Sequence, residues 1–414
     1  MASRIEEIRE LLKTAEASQE TADLMVELAA LLRSNDVSQA LALAGKAAKM
    51  SGELGYRSGV AAGLRTMGVC YEQLSDYTRA LQCGQDALAI SEELGDAEGI
   101  KRVLNSIGLA LFRLDRYGQA LEYYQRTMGR LGPDDKQLSA FVTNNIGLIY
   151  RSLGDERRAL DSFQKSLAML GELNDLKNQA NALSNMGTCY RRLGEYPRAI
   201  ECLEQSLVLR QQTGDRYATT HSWNNLGTVY FETEDYPRAH QSWMKALDLS
   251  VQYNDVATKV FIMINLGRLM IKSGQAEPGI EWLDQALPLA EQLGDRQALL
   301  VLHENYATTL ADRGDHAKAW EHYVHYYRTE LDLLEDVVTV YRQEQASGSG
   351  ISRTRLDRLI GRIDDLKASL VKLAASSAPG AATADRAALQ DVGQKLDTIR
   401  GQLDQDRTGL RSEG

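Results

Sequence analysis

Proline and long apolar runs are both scarce in this sequence. Only 6 of its 414 residues are proline, while alanine, leucine, glutamate and arginine are abundant, so nearly all of the chain is expected to be helical. No stretch approaches the roughly 20 uncharged residues that a membrane span needs, and residues 1–12 lack the apolar run of a secretory signal. We therefore expect a soluble, cytoplasmic protein with no membrane partner.

Cysteine and excess positive charge are also limited. The four cysteines form two equivalent pairs, Cys70/Cys83 and Cys189/Cys202, and Cys-x-x-Cys spacing is absent. We interpret them as small buried thiols on facing helices, with a redox or metal site as the alternative. The net charge of −10 excludes the basic face that binds phosphate, so nucleic acid is not an expected partner.

Catalytic motifs are missing as well. There is no glycine-rich phosphate loop, no His-Glu-x-x-His and no Gly-x-Ser-x-Gly. His322 and His325 could present two nitrogens on one helix face, but tyrosines surround them, which favours aromatic packing over a metal site. We therefore predict that the protein is not an enzyme and holds no cofactor and no metal.

What the chain does contain is a short phrase, Asn–aliphatic–Gly, that recurs every 39 or 40 residues. The small residue of the phrase falls at Gly68, Gly108, Gly147, Gly187, Gly227, Gly267 and Ala307; the first copy lacks the asparagine, the second has an extra residue after it, and the last is degenerate. A repeat of this length is typical of a solenoid, whose units cannot bury their apolar faces alone. Function is therefore expected on an extended, repeated surface.

Each repeat divides into two helical stretches joined by a tight turn. Turns such as Gly194-Glu-Tyr196, and linkers such as Leu94-Gly-Asp96, place a helix stop before a helix cap. Prolines at 197, 237 and 278 stand where the second helix begins, the one helical turn that tolerates proline. Connections this short predict that each helix packs antiparallel to the preceding one.

These residues resemble the tetratricopeptide repeat family. Its pattern is matched in full by Trp223-x-x-Leu226-Gly227-x-x-Tyr230 followed by Ala239. The resemblance implies an all-α fold: a right-handed α-solenoid (superhelix) of about eight helical hairpins with a C-terminal helical extension. The repeat of about 40 residues looks like the variant in kinesin light chains, Pins-type adaptors and bacterial signalling proteins, which implies partner binding.

Three segments are predicted. Residues 1–16 form an N-terminal helical cap, residues 17–346 form the solenoid with a capping helix, and residues 347–414 begin with a flexible break at Ser347–Gly350. A second linker spans Ser376–Thr383. Apolar residues between and after these breaks alternate in steps of three and four, which predicts a helical hairpin or a coiled-coil tail that mediates oligomerisation. The residues assigned to this seam are Leu356, Leu359, Ile363, Leu366, Leu370, Leu396 and Ile399.

The first helix of each repeat lines the concave surface in this family, so its non-core face is the predicted binding site. An asparagine amide both donates and accepts, and can therefore satisfy the main chain of an extended peptide. Resemblance to the kinesin light chain and Pins-type grooves implies the same use here. The predicted partner-binding residues are Asn105, Asn145, Asn181, Asn185, His221, Asn225, Asn265, Asn305, Arg113, Arg151, Arg192, Arg268 and Lys272.

The sequence thus predicts a protein–protein interaction scaffold whose groove holds an extended segment of a partner. The arginines in an otherwise acidic chain indicate that this segment is acidic. An alternative role for the asparagines is to brace neighbouring helices. Two other functions stay open: a structural component that self-assembles through its C-terminal helices, and a bacterial regulatory sensor of a signalling peptide, as the Rap-type receptors are.

Overall fold

The computed structural model describes residues 2–33, 35–346, 353–375 and 383–412. The described residues form 19 α-helices and contain no β-strand, so the predicted all-α class is confirmed. The predicted break at Ser347–Gly350 and residues 376–382 of the second linker lie outside the described residues. The chain divides into two compact units, Met1–Asp215 and Arg216–Gly414.

The first unit consists of a leading helix followed by five helical hairpins. Its helices are α1 (Ala2–Thr14), α2 (Gln19–Leu32), α3 (Val37–Glu53), α4 (Arg57–Gln73), α5 (Tyr77–Leu94), α6 (Ala97–Arg113), α7 (Tyr117–Met128), α8 (Lys136–Ser152), α9 (Glu156–Glu172), α10 (Leu176–Arg192) and α11 (Tyr196–Thr213). The hairpins are the successive pairs from α2/α3 to α10/α11, and α1 packs on α2.

The second unit contains three more hairpins and two further helices. Its helices are α12 (Arg216–Glu232), α13 (Tyr236–Gln252), α14 (Val256–Lys272), α15 (Ala276–Leu293), α16 (Arg296–Asp312), α17 (His316–Ala346), α18 (Arg353–Ala375) and α19 (Thr383–Ser412). The hairpins are α12/α13, α14/α15 and α16/α17. Together, the described parts of the two units contain the eight consecutive hairpins that the repeat predicted.

The repeated glycine lies where the two helices of a hairpin come closest. A Cβ atom at Gly147 would lie 2.7 Å from Cε1 of Phe163, a residue 16 positions later on the second helix. The same relation recurs in the second unit, where a Cβ atom at Gly227 would lie 2.5 Å from Nε1 of Trp243. Because interiors are close-packed, a side chain at either glycine would displace the ring that fills the hairpin.

The turns before α6, α10, α14 and α16 combine a left-handed residue with a capping aspartate, as the linker pattern predicted. Gly95 has φ +67° and Asn254 has φ +55°, a region that glycine and asparagine tolerate best. The next residue caps the following helix: Asp96 Oδ1 accepts from the Gly99 amide at 2.9 Å. In each of these four turns, the left-handed residue that ends one helix is followed directly by the cap of the next.

The four cysteines are free and buried, which confirms the interpretation made from their spacing. Each pair lies on the two helices of one hairpin, α4/α5 and α10/α11. Burial raises the pKa of Cys202 to about 11. This thiol therefore stays protonated near neutral pH, where thiolate chemistry would need the opposite shift.

The second unit ends in a core shared by α17, α18 and α19. Apolar residues of all three helices recur in alternating steps of three and four, as in a heptad seam. The buried residues of this terminal core are Trp320, Val324, Tyr327, Leu331, Leu334, Val338 and Tyr341 on α17; Leu356, Leu359, Ile360, Ile363, Leu366 and Leu370 on α18; and Leu389, Val392, Leu396, Ile399 and Leu403 on α19. The long helix α17 thus belongs both to the last hairpin and to the terminal core.

Removal of α18 and α19 is expected to make the protein associate. A chain ending at residue 346 would expose Leu334, Val338 and Tyr341, which are at most 3% exposed in the full chain. An apolar patch of this kind favours aggregation. Size-exclusion chromatography with light scattering should show a higher apparent mass for the 1–346 chain than for the full chain. Two species that both run as equally stable monomers would contradict this packing.

Candidate partner-binding surface

The predicted asparagines all lie on the first helices of their hairpins, and all are partly buried. In the first unit they lie on α6, α8 and α10; in the second unit they lie on α12, α14 and α16. His221 accompanies Asn225 on α12 and packs edge-on against the ring of Tyr217, with the ring centroids 4.8 Å apart. The core face of the same helices carries the buried repeat residues, such as Leu226 and Tyr230.

In the first unit, three of the predicted asparagines meet at one cavity of about 280 Å³. The cavity lies between the first helices of three consecutive hairpins, with α9 contributing one wall. We call it the amide pocket; its lining residues are Asn105, Phe141, Asn144, Asn145, Ser166, Leu170, Asn178 and Asn181. The Oδ1 atom of Asn105 is buried there and has no hydrogen-bond partner among the described residues.

Asn185 does not line the amide pocket. Its Oδ1 accepts from Nη1 of Arg151 at 2.9 Å, and its Nδ2 donates to Oδ1 of Asn144 at 3.4 Å. These bonds join α8 to α10. Burial lowers the pKa of the Arg151 guanidinium, which nevertheless remains charged because an arginine pKa is so high. At this position the asparagine acts as the interhelical brace that formed the alternative interpretation.

The same brace recurs in the second unit. Nδ2 of Asn265 donates to Oδ1 of Asn224 at 3.2 Å, which joins α12 to α14 across 41 residues, the same separation as between Asn144 and Asn185. Asn225 differs, because its side chain has no hydrogen-bond partner among the described residues. Sequence reasoning missed the accepting asparagines, although the doublets Asn144-Asn145 and Asn224-Asn225 were a visible signal.

Asn305 lies on α16, the first helix of the last hairpin, and its side chain bonds within that helix. Its Nδ2 donates to the carbonyl oxygen of Val301 at 2.6 Å. This local bond occupies a donor that an incoming peptide would otherwise use. Of the predicted asparagines, Asn181, Asn185, Asn265 and Asn305 thus already make structural bonds.

Most of the predicted cations are engaged within the protein. Nη1 of Arg192 donates to Oε1 of Glu156 at 2.9 Å, and Glu156 is only 9% exposed. The guanidinium of Arg113 lies 6.0 Å from the Tyr77 ring centroid, and that of Arg268 lies over the ring of Phe231 at 5.5 Å. Exposed cation–π contacts contribute only about 0.5–1 kcal/mol, so these two arginines can still turn toward a partner. Lys272 lies in the last turn of α14.

His322 and His325 belong to a cluster on α16 and α17 that includes a third histidine, His303. The Nδ1 atoms of His303 and His322 are 2.9 Å apart, and the rings of His303 and His325 stack at 4.9 Å. The Tyr306 ring stacks on His322 at 4.4 Å, and its hydroxyl donates to Asp284 at 2.7 Å. Within the described ranges, no group of three or more His, Cys, Asp and Glu side chains is arranged to hold a metal ion.

The residues predicted to mediate oligomerisation are buried within the chain itself. Leu356, Ile363 and Leu396 are fully buried in the terminal core, and the remaining four are at most 8% exposed. Ion pairs tie the same helices together, including Arg362 with Glu330 at 2.6 Å. Self-association through this tail therefore stays a prediction, and it would require a face other than the buried seam.

Similar folds occur among solved structures. A tetratricopeptide sensor protein of the Signal Transduction ATPase with Numerous Domains class from Pyrococcus horikoshii is 14% identical with a TM-score of 0.60; the match covers 81% of this chain and 51% of that one. The apo quorum sensor NprR from B. thuringiensis is 16% identical with a TM-score of 0.58, over 69% and 80% of the two chains. A Rap protein complexed with Competence and Sporulation Factor is 12% identical with a TM-score of 0.55, over 94% and 99%.

At sequence identities this low, the three matches show a shared fold and no more. A search of curated proteins finds no match to the chain. In the part of the chain that the structure describes, no helix is both long and apolar enough to cross a membrane.

The family itself follows from the repeat, the hairpins and a family model. The Tetratricopeptide repeat model matches residues 59–131, 102–172 and 178–250, which run from the third residue of α4 to near the end of α13, apart from residues 173–177. Beyond those residues, a Cβ atom at Gly267 would lie 2.9 Å from Cδ2 of Leu283, 16 positions later, and the pairs α14/α15 and α16/α17 continue the series of hairpins. The chain is a tetratricopeptide repeat protein.

Proposed function

We propose that this protein is an interaction scaffold that binds an extended segment of a partner protein along the first helices of its hairpins. The observation that carries the proposal is the amide pocket, where neutral side-chain amides from successive hairpins converge. Amides of this kind match the alternating N–H and C=O groups of an extended main chain. In the second unit, the side-chain amide of Asn225 is also available, because it makes no hydrogen bond among the described residues.

The proposal can be tested by separating the two classes of asparagine. Extended random peptides displayed on phage are selected against the full chain, and affinities are measured by fluorescence anisotropy. Asn225→Ala should weaken the selected peptides about fivefold, the equivalent of one hydrogen bond, and leave the free energy of unfolding unchanged. Asn265→Ala should lower the free energy of unfolding by about 0.5–1.5 kcal/mol, because it breaks the bond to Asn224.

Asn305→Ala is the matched control. Its amide bonds to its own helix, so neither peptide affinity nor interhelical packing depends on it. A selection that yields no binding peptide, or peptides that are insensitive to Asn225→Ala and to the other pocket asparagines, would contradict the proposal.

The acidic character of the segment is the finer part of the proposal. It depends on Arg113 and Arg268, whose guanidinium groups lie over aromatic rings and form no ion pair among the described residues. If the segment is acidic, affinity should fall steeply as salt is raised from 50 to 500 mM, because exposed charge pairs are screened. An affinity that is independent of salt would remove this part alone.

A sensor of a signalling peptide is the second candidate. It is supported by the fold shared with the quorum sensor NprR and with the Rap complex. A bound peptide would then change the arrangement of the hairpins, whereas a scaffold would keep it. X-ray scattering with and without a selected peptide decides between the two, since an unchanged radius of gyration favours the scaffold.

A further inference from the structure

The amide pocket has an uneven supply of hydrogen-bonding groups. Asn105 Oδ1 is a buried acceptor without a partner among the described residues. Ser166 donates its hydroxyl hydrogen to the carbonyl of Ala140 at 2.8 Å, so its oxygen offers only lone pairs to the pocket. A ligand that enters the pocket must therefore supply a hydrogen-bond donor to each of these two oxygens.

The pocket also contains donors that the protein does not use. Asn144 Oδ1 accepts from Asn185, and the two Nδ2 hydrogens of Asn144 have no acceptor among the described residues. Asn178 and Asn181, in contrast, are largely satisfied: Asn178 Nδ2 donates to Asp175 at 2.8 Å, and Asn181 Oδ1 accepts from Arg210 at 3.3 Å. A suitable ligand group must thus both donate and accept.

The charge and size of the amide pocket further limit the kind of ligand group that can bind in it. None of the eight lining residues is ionisable, and the two nearest bonded charges, Asp175 and Arg210, are of opposite sign. An ion placed here would lose its water without gaining a counter-charge. A volume of about 280 Å³ is at the small end for ligand pockets and suits one side chain. Phe141 and Leu170 provide apolar walls for an aliphatic stem.

We propose that the amide pocket is a specificity site that takes a glutamine side chain of the bound segment, in preference to acidic, basic or purely apolar side chains. A primary carboxamide donates two hydrogens, to Asn105 Oδ1 and Ser166 Oγ, and accepts from Asn144 Nδ2. Its two methylene groups lie between Phe141 and Leu170. This assignment rests on the proposed function, because it presumes a peptide on the same surface.

The test uses small blocked amino acids as probes. N-acetyl-glutamine N-methylamide and its glutamate, lysine and leucine analogues are titrated into the full chain and followed by saturation-transfer difference NMR. The glutamine probe should bind about tenfold more tightly than the other three, because each of them leaves buried polar groups unpaired or brings in a charge. Equal binding of the glutamate or leucine probe would overturn the assignment.

Two substitutions at Asn105 sharpen the result. Asn105→Leu, which keeps the size and removes the amide, should reduce the glutamine probe to the level of the leucine probe. Asn105→Asp should shift the preference toward the lysine probe, because it adds the counter-charge that the pocket lacks. Asn305→Leu, in the other unit, is the control and should bind glutamine normally. Retained glutamine preference in both Asn105 variants, with circular dichroism confirming the fold, would refute the site.

The outcome is separable from that of the proposed function. Phage-selected peptides that bind without any enrichment of glutamine would defeat the specificity site and leave the scaffold intact. A glutamine probe that binds while no extended peptide does would preserve the pocket and defeat the scaffold.

Discussion

Replacing Gly227 by alanine should lower the free energy of unfolding by about 1–3 kcal/mol, the usual range for overpacking a well-filled core. The new methyl group would lie 2.5 Å from Nε1 of Trp243, whose side chain is only 2% exposed and cannot move into solvent. The indole N–H also donates to the carbonyl oxygen of Asn224 at 3.2 Å, which fixes its position. Chemical denaturation followed by circular dichroism measures the loss.

A double-mutant cycle identifies the cause of this loss. Trp243→Ala alone should cost about 3–5 kcal/mol, because it empties a large buried volume. In that background, Gly227→Ala should be neutral or stabilising, since the ring it would strike is gone and alanine favours the helix. Gly45→Ala is the control: nothing lies within 4 Å of its Cβ position inside α3, so a gain of about 0.5–1 kcal/mol is expected. Additive losses at Gly227 and Trp243 would show that they do not touch.

Acidification should destabilise the second unit through the histidine cluster. Burial, together with the positive charge that His325 and His322 can acquire, lowers the pKa of His303 to about 4, against 6.5 for a free histidine. Between these two values the unfolded chain binds a proton that the folded chain does not, so stability falls as the pH falls from about 6.5 toward 4. At about 1.4 kcal/mol per pKa unit, the loss is on the order of 3 kcal/mol.

The geometry opposes full protonation of the pair. Two Nδ1 atoms 2.9 Å apart can share one hydrogen, and the donating ring can still take a proton at Nε2, but when both rings are cations two N–H groups face each other. Burial and His325 lower the pKa of His322 as well, whereas Asp284 acts in the opposite direction.

His303→Gln is the variant that isolates this effect. Stability measured at pH 7 and at pH 4.5 should differ less in His303→Gln than in the wild type, because one titrating group has been removed. His240→Gln, on α13 and outside the cluster, should keep the wild-type difference. An unchanged pH dependence in His303→Gln would show that His303 does not contribute to the acid sensitivity.

The sequence was sufficient for the architecture because its signals are local and repeated. The glycine at each helix crossing, the left-handed residue before a capping aspartate and the proline at the start of a second helix each report one backbone requirement. Because these requirements recur from hairpin to hairpin, they leave the backbone little freedom. The helix pairs predicted from Gly147, Gly187 and Gly227 accordingly form hairpins in the structure.

The site was less predictable, since it depends on which side chain reaches which neighbour across helices. Asn145 and Asn185 occupy the same repeat position, yet Asn145 lines the amide pocket and Asn185 braces α8 against α10. The difference comes from Arg151 and Asn144, whose side chains approach Asn185 only in the folded hairpins. Helical spacing predicts the direction in which a side chain points, but it does not predict which side chains of neighbouring helices will bond to it. The prediction of the apolar seam on α18 and α19 was incomplete for the same reason. A third row of apolar residues, on α17, packs against it in the structure.

Helix α17 has a mechanical consequence. Its 31 residues extend about 45 Å at 1.5 Å per residue, without a break between the last hairpin and the terminal core. If a helix of this length stays straight, a small rotation of its axis near Trp320 moves Tyr341 through a much larger distance than it moves Trp320. The histidine cluster lies near the fulcrum, on the first turns of α17 and the facing side of α16. A change of packing at that end that tilts α17 would therefore also displace the part of α17 that packs in the terminal core.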